Sequence, residues 1–512
     1  MHRPLILALL FVVLAALRIS GPTDLMEGDQ ERQVGYVMDI LLNGDWLVQY
    51  EIHGQIASKP PFYNWCAAIL CILFDSRAEW VMKLPSLLAG AGLLTCVYLL
   101  ARRFFDEKAA FYAGIACIAS HHFSKLFWFA RTDMLLAFLL YLAIWMLVSL
   151  NSSWWKSLAL GLVVTAAALT KGPNGPVLFA IFFLCWSWSE GTLIETRAWR
   201  GRIAGIVLFV VLVGAWLAAV WNVPQFQEQV LKVNLVERMT EASRARPFYY
   251  YFGHLFTRIA PWTAVAGLGV VLSRQRPEWP QVRLTLLWGG LFFLYFSLIP
   301  VKRHDHLLPV YPAVFLLAGL GLRYLFEPIV SRAAGWVIYP VALGLVVAPV
   351  LPLTSWLHEP AIQAMVYGVC ACGCVALVCF WRGSRAALPI AALGLILGHG
   401  VYHHWAQPQG RAEYMEIVAF AERVRQQTGG DGEDLLVFHT HPLIAYELGQ
   451  HERVATVEQL AGRDVKWLIA PYYYANLIRQ ATHWQLTEKE AVLLNPREHQ
   501  ATLYRVDAPR RL

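Results

Sequence analysis

Residues 28–46 read GDQERQVGYVMDILLNGDW, with four acids (Asp29, Glu31, Asp39, Asp45) and one arginine, Arg32, set among apolar residues. The stretch follows directly on an apolar N-terminal segment, so it is neither a plain loop nor a second span. Placed on a helix at about 100° per residue, Val34, Val37, Met38 and Leu41 share one face, and Asp29, Arg32, Gln33, Tyr36 and Asn43 share the other. This pattern predicts a helix lying in a membrane surface with its polar stripe turned toward something wet. Asp29 opens that helix, where the helix dipole favours a carboxylate; capping is therefore one account of it.

The rest of the chain supplies the membrane. It has 512 residues, 57% hydrophobic and 15% charged, with a mean hydropathy of +0.47. Soluble domains carry about 25% charged residues, and the 21 tryptophans and 21 tyrosines suit two membrane interfaces. Apolar segments run near 4–20, 80–101, 109–122, 133–149, 156–171, 174–188, 203–221, 254–272, 283–300, 308–325, 334–351, 361–381 and 386–404. They predict an all-α polytopic membrane protein of about 13 transmembrane helices, several shorter than the roughly 20 residues of an upright span. The short apolar run 62–74 reads as a re-entrant or interfacial helix, or as the true second span. Residues 4–17 lack a small-x-small cleavage site and read as an uncleaved first span. Past Gln407-Pro408-Gln409-Gly410 the composition changes. Residues 411–512 read as a small soluble α/β domain, with a helix at 411–427 and strands near 434–439, 466–470 and 500–506. The division is thus a transmembrane part, 1–406, and a soluble domain, 411–512.

Charge sets the expected orientation. With the N-terminus inside, the inner loops collect Arg102, Arg103, Lys108, Lys156, Arg197, Arg200, Arg202, Arg274, Arg276, Arg283, Arg323, Arg332, Arg382 and Arg385, whereas the outer loop 352–360 holds no Lys or Arg. Cytoplasmic loops are the basic ones, so the N-terminus is expected in the cytoplasm and the C-terminal domain outside the cytoplasmic membrane. Long outer loops then fall at 21–79 and 222–253. Basic residues do occur on the outer side, at span ends or in the long outer loops, among them Arg32, Lys59, Arg131, Lys171, Lys302 and Arg303. Cations kept near the bilayer on the outer side point to a bound anion.

Other chemistry is thinly represented. No basic run interleaved with aromatics suggests a nucleic-acid partner. The nine cysteines all sit in apolar stretches, which favours packing over disulfides. Cys370, Cys372 and Cys374 alternate sides of a helix and make a poor metal site. The pairs His304/His306, His403/His404 and His439/His441 read as interface or surface histidines, so the motifs support no metal, although a divalent ion remains compatible with them.

After Asp29-Gln30-Glu31-Arg32 come Gly44-Asp45-Trp46 and Lys59-Pro60-Pro61-Phe62-Tyr63-Asn64-Trp65, whose prolines block backward extension of the next helix. Further on stand Lys83-Leu84-Pro85-Ser86, Ala130-Arg131-Thr132-Asp133, Leu169-Thr170-Lys171-Gly172-Pro173, Pro247-Phe248-Tyr249-Tyr250-Tyr251, Pro261-Trp262 and the block from Val301 to Pro312, VKRHDHLLPVYP. In order and spacing this set resembles the GT-C membrane glycosyltransferases of the protein-mannosyltransferase and aminoarabinose-transferase type, over roughly residues 1–325. Two positions depart from the pattern. Gln30 stands where an acid is usual, and Ser58 where an acid often precedes the lysine; in the aminoarabinose branch that acid takes part in a metal site.

The resemblance implies an inverting transfer of a sugar from a polyprenyl-phosphate donor to a glycan, lipid or protein acceptor at the outer face of the membrane. Asp29 aligns with the family's catalytic aspartate, as base for the acceptor hydroxyl. Lys59, Lys302 and Arg303 are expected to hold the departing phosphate, with Arg32, Arg131, Asp133, Lys171 and His306 as further substrate-binding candidates. Arg131 and Asp133 could equally pair with each other, and Lys171 could be a helix-end lysine. A transporter of lipid-linked saccharides would also present cations to phosphate, but it should carry ionisable groups at the bilayer midplane. Here they gather at span ends. A non-catalytic relative is the third reading, kept open by Gln30.

Overall fold

The computed structural model describes every residue except Met1, Pro22, Asp24, 27–28, 150–153, 192–195, Pro224, 228–244, Pro328, 348–359, 406–407, 430–433, Gly462, 494–499 and 508–512. Most of the outer loop expected at 222–253, with Glu237, Arg238 and Arg244, lies outside the described residues.

The chain is mostly helical. Six helices among the described residues are long and apolar enough to cross a membrane: Glu79–Phe104, Thr132–Ser149, Ile203–Val220, Trp279–Leu298, His304–Phe326 and Gln363–Trp381. Tyr250–Thr257 and Trp262–Ser273 make a seventh if counted together, but they are bent by 92°. The single segment expected at 254–272 is therefore broken, and Pro261, which has no N–H to donate, stands at the break. Over their described residues the other apolar segments read from the sequence fall on helices, 109–122 on two, Glu107–Ile118 and His121–Leu126, and the run 62–74 on Phe62–Leu73. On Ile203–Val220, Val207, Val210 and Val211 are exposed, as suits a surface meant for acyl chains.

The chain divides into two compact units. The first holds residues 1–21, 84–218 and 232–406; the second holds 22–83, 219–231 and 407–512. The first outer loop thus groups with the C-terminal region.

In the first unit, helix Tyr311–Phe326 is the hub, packing on Glu107–Ile118 on one side and Trp262–Ser273 on the other. Small residues allow this. A Cβ on Gly319 would meet the Ala109 carbonyl oxygen at 2.5 Å, and one on Gly321 would meet the Val265 oxygen at 2.6 Å. Backbones this close gain van der Waals contact, the main attraction between helices in lipid. The far end of the hub is pinned by charge: Arg323 reaches Asp106 at 2.7 Å and Glu278 at 2.5 Å. Glu327 gathers Arg3 at 2.7 Å, Arg385 at 3.1 Å and Lys108 at 3.4 Å.

In the second unit, the C-terminal region forms a sheet from β1 (Leu435–Val437), β2 (Trp467–Ala470), β3 (Gln485–Leu493) and β4 (Gln500–Asp507), in the order β1-β2-β4-β3. β1 and β2 are parallel and the other pairs antiparallel. Leu436, Leu468, Tyr504 and Val506 share a core with Ile478 and Trp484. β3 has no counterpart in the sequence reading. It is an edge strand whose Thr487-Glu488-Lys489 is exposed and whose pairing shifts between Glu488 and Glu490, so its polar residues hide the period-two signal.

The same unit contains the helix of the opening stretch, Gln30–Asn43. Only part of its polar side faces water: Arg32 and Asn43 are exposed, whereas Gln33, Tyr36 and Asp39 are buried along with Val34, Val37 and Met38. Gln33 bonds to Asn64, the Tyr36 hydroxyl donates to Glu51 at 2.8 Å, and Asp39 accepts from Arg453 at 2.6 Å. The middle of the face expected to be wet thus meets other polar protein, and its Arg32 and Asn43 stay exposed.

Candidate functional site

The first unit carries a buried chain of charge at the start of its hub helix. Residues His304–Val310 wind as a tight 3-10 turn leading into Tyr311–Phe326. The turn is fixed from a neighbouring span, because the Tyr141 hydroxyl donates to the Pro309 carbonyl at 2.7 Å. This presents Asp305, 3% exposed, inward. Arg131 comes to it from the turn ahead of Thr132–Ser149; Ser86 holds that turn by donating to the carbonyls of Phe129 at 2.5 Å and Arg131 at 3.2 Å.

The Arg131 guanidinium then bridges two acids, reaching Asp305 Oδ2 at 2.6 Å and Asp133 Oδ2 at 3.1 Å. Lys171, at the end of Trp154–Lys171, pairs with the other oxygen of Asp133. Two cations and two anions alternate, each buried charge next to its opposite, which is how ionised groups persist out of water.

The other face of Asp305 carries imidazoles. His122 Nε2 lies 3.0 Å from Asp305 Oδ1, and His304 Nε2 lies 2.9 Å from the same oxygen. His122 Nδ1 meets the Tyr311 hydroxyl at 2.8 Å, while its backbone N–H donates to the Arg258 carbonyl at 3.2 Å. Asp305, His122 and Tyr311 were not among the residues singled out from sequence. A faint signal existed: an acid between two histidines at the mouth of a span, and the pair His121-His122 closing another apolar segment.

Arg131 and Asp133, for which mutual pairing is one of the two sequence readings, do pair, and Lys171 joins them in one network. Lys302 is buried and donates to the carbonyls of Ile299 at 2.6 Å and Arg246 at 3.1 Å, so its ammonium anchors backbone. Arg303 is different. Its side chain is 42% exposed, with a nitrogen 4.0 Å from Asp305 Oδ2. His306 stands on the same turn, its ring 6.3 Å from that of Phe296. His304 and His306 do not act as a pair, since His304 turns to Asp305 and His122.

Asp29, Arg32 and Lys59 belong to the second unit. Asp29 occupies the N-cap of helix Gln30–Asn43 in a left-handed conformation, φ 67°, with no side-chain cap hydrogen bond. Non-glycine residues rarely adopt this conformation, and the strain concentrates at functional positions. Capping therefore does not account for the carboxylate. Arg32 is exposed, with Nε 3.7 Å from Glu51. Lys59 is half-buried, just ahead of Phe62–Leu73.

Residues 58–216 match a family model described as dolichyl-phosphate-mannose-protein mannosyltransferase. An undecaprenyl phosphate-alpha-4-amino-4-deoxy-L-arabinose arabinosyl transferase of Shewanella sediminis is 24% identical over 345 residues, covering 64% of this chain and 60% of that protein. The enzyme of that name from Edwardsiella ictaluri is 25% identical over 434 residues, 76% of this chain and 75% of its own. Among solved structures, ArnT from Cupriavidus metallidurans bound to undecaprenyl phosphate aligns over 98% of this chain and 97% of that one, with a TM-score of 0.75 at 20% identity. The fold is that of the GT-C glycosyltransferases of the aminoarabinose-transferase type, as the ordered motifs implied.

Proposed function

We propose that this chain is a polyprenyl-phosphate-sugar-dependent glycosyltransferase of the pentosyl-transferring kind, working at the outer face of the cytoplasmic membrane. The observation that carries the reading is the coincidence of an ArnT-like fold along the whole chain with buried and strained charged residues at the motif positions. Relatives named for transfer of 4-amino-4-deoxy-L-arabinose from undecaprenyl phosphate make that donor the first to test.

In the proposed reaction the acceptor hydroxyl oxygen attacks the anomeric carbon from the face opposite the phosphate. The carbon–oxygen bond to phosphate breaks, its electron pair leaves with the phosphate, and the anomeric configuration inverts. The hydroxyl proton passes to the Asp29 carboxylate. Lys59 binds the phosphate and stabilises its growing charge, and Arg303 is a further phosphate-binding candidate, carried by the first unit. Arg131, Asp133 and Lys171, with each other as partners, act as a rigid polar floor, and Lys302 holds the turn from which Arg303 and His306 project. Arg32 stays near the phosphate as a further cation.

The proposed topology is about 13 crossings, N-terminus in the cytoplasm and residues 411–512 outside. It rests on the charge asymmetry of the loops and on the four basic residues Arg3, Lys108, Arg323 and Arg385 paired at one end of the first unit's helices.

The test is direct. Protein in lipid, given undecaprenyl-phosphate aminoarabinose and lipid A or a glycan acceptor, should release undecaprenyl phosphate and form the glycosylated product. Movement of the donor between leaflets with no product would overturn the enzyme in favour of a transporter.

A further inference from the structure

We propose that His122, His304 and Asp305 form a binding site for a divalent transition-metal ion of the zinc or manganese type. The three come from two places in the fold, the short helix His121–Leu126 and the turn His304–Val310. One nitrogen from each imidazole and one carboxylate oxygen all lie within 4.8 Å of one another. Two neutral imidazoles and a carboxylate are the donor set that first-row metals favour where a coordination position is left open.

The spacing suits an ion. Metal–ligand bonds of about 2.0–2.2 Å in tetrahedral geometry put donors about 3.3 Å apart. The two nitrogens lie 3.0 and 2.9 Å from Asp305 Oδ1, so small side-chain rotations admit the metal. The outer partners are also in place. Tyr311 engages the second nitrogen of His122 at 2.8 Å, and Arg131 the second oxygen of Asp305 at 2.6 Å. Such contacts orient ligands; when Nε2 gives its lone pair to an ion, the His122 proton moves to Nδ1 and the Tyr311 hydroxyl accepts from it. One side is open, since the His304 side chain is 31% exposed against 0% for His122 and 3% for Asp305.

A hydrogen-bonded His–Asp–His cluster is the competing account, and the surroundings separate the two. Asp305 is the sole acid in the ligand set, with Arg131 and Arg303 beside it. A bare dication there meets two cations, so the site takes its ion together with an anion on the open position. A phosphate oxygen fits; this coupling rests on the transfer reading, whereas binding of the ion alone does not.

The experiment uses the full chain in lipid discs, stripped by chelation and titrated with Co2+ or Zn2+ by absorption and calorimetry, with and without undecaprenyl phosphate. The expected result is one ion per chain, bound more tightly with undecaprenyl phosphate. His304→Ala and Tyr311→Phe should each weaken it about tenfold or more, with thermal unfolding unchanged for His304→Ala, and His439→Ala should bind as wild type. No stoichiometric ion in either condition, or affinity unmoved by both variants, overturns the site and leaves the release assay to judge transfer independently.

Discussion

Arg131 and Asp305 are 174 residues apart in sequence, yet the guanidinium donates to the carboxylate at 2.6 Å with both groups buried. The pair joins the turn before one span to the turn before another. It also orders the network, because Arg131 continues to Asp133 and Asp305 continues to His122 and His304.

Removing one partner strands the other charge. Arg131→Ala should destabilise the protein by about 3–5 kcal/mol, read as a lower thermal midpoint in detergent. Arg131→Lys should recover only part of this, since an ammonium cannot reproduce the fork that reaches both acids. Equal midpoints for Ala and wild type would refute a structural role.

Asp29 is the proposed base. Asp29→Asn should lower release of undecaprenyl phosphate by about 10²–10⁴-fold while donor affinity, from a binding isotherm, changes little. Unchanged turnover would remove Asp29 from the chemistry.

Lys302 and Arg303 are neighbours with different expected phenotypes. Lys302→Met breaks two charge-assisted bonds to carbonyls, at 3.1 and 2.6 Å, and should cost about 1.5–3 kcal/mol or more. Arg303→Ala should leave the unfolding midpoint nearly in place and raise KM for the donor. Thermal unfolding beside steady-state kinetics separates the two.

The second unit has an acid-sensitive clasp. Burial alone would raise the Asp39 carboxyl, but hydrogen bonds from His451, Asn43 and the Tyr50 N–H outweigh it and hold it below its ordinary value of 3.8. A depressed folded pKa means that this stabilisation is fully present above the unfolded value and is lost as pH falls through the folded one. The stability of the full chain against chemical denaturant should therefore fall below about pH 4, and Asp39→Asn should flatten that acid limb. Arg453→Ala, which removes contacts at 2.9 and 2.6 Å, should cost about 1–3 kcal/mol at neutral pH.

Helix packing in the first unit is set by missing side chains. Gly319→Ala would drive a Cβ to 2.5 Å from the Ala109 oxygen and 2.6 Å from the Ala113 nitrogen, both backbone atoms that cannot rotate away. A loss of about 1–3 kcal/mol is expected, measured as a lower midpoint. Gly290→Ala, with nothing within 4 Å of the added methyl, is the control.

The sequence by itself determined the helices of the membrane part, because each buries backbone polarity within a continuous apolar run and needs no distant partner to be recognisable. Thr132–Ser149 and Trp279–Leu298 begin and end close to where hydropathy places them. It also determined the order of the charged motifs, Asp29, Lys59, Arg131, Asp133, Lys171, Lys302 and Arg303, since local spacing is all that such a pattern requires. Tertiary structure decided which of those charges meet. Lys302 is buried against carbonyl oxygens while the Arg303 side chain is 42% exposed, although they are adjacent in the chain. His122, Asp305 and Tyr311 came together from separate segments, and the polar face of Gln30–Asn43 found Glu51, Asn64 and Arg453 in place of water. A buried charge must meet its opposite at contact distance, and contact between residues over a hundred positions apart exists only once the helices have packed.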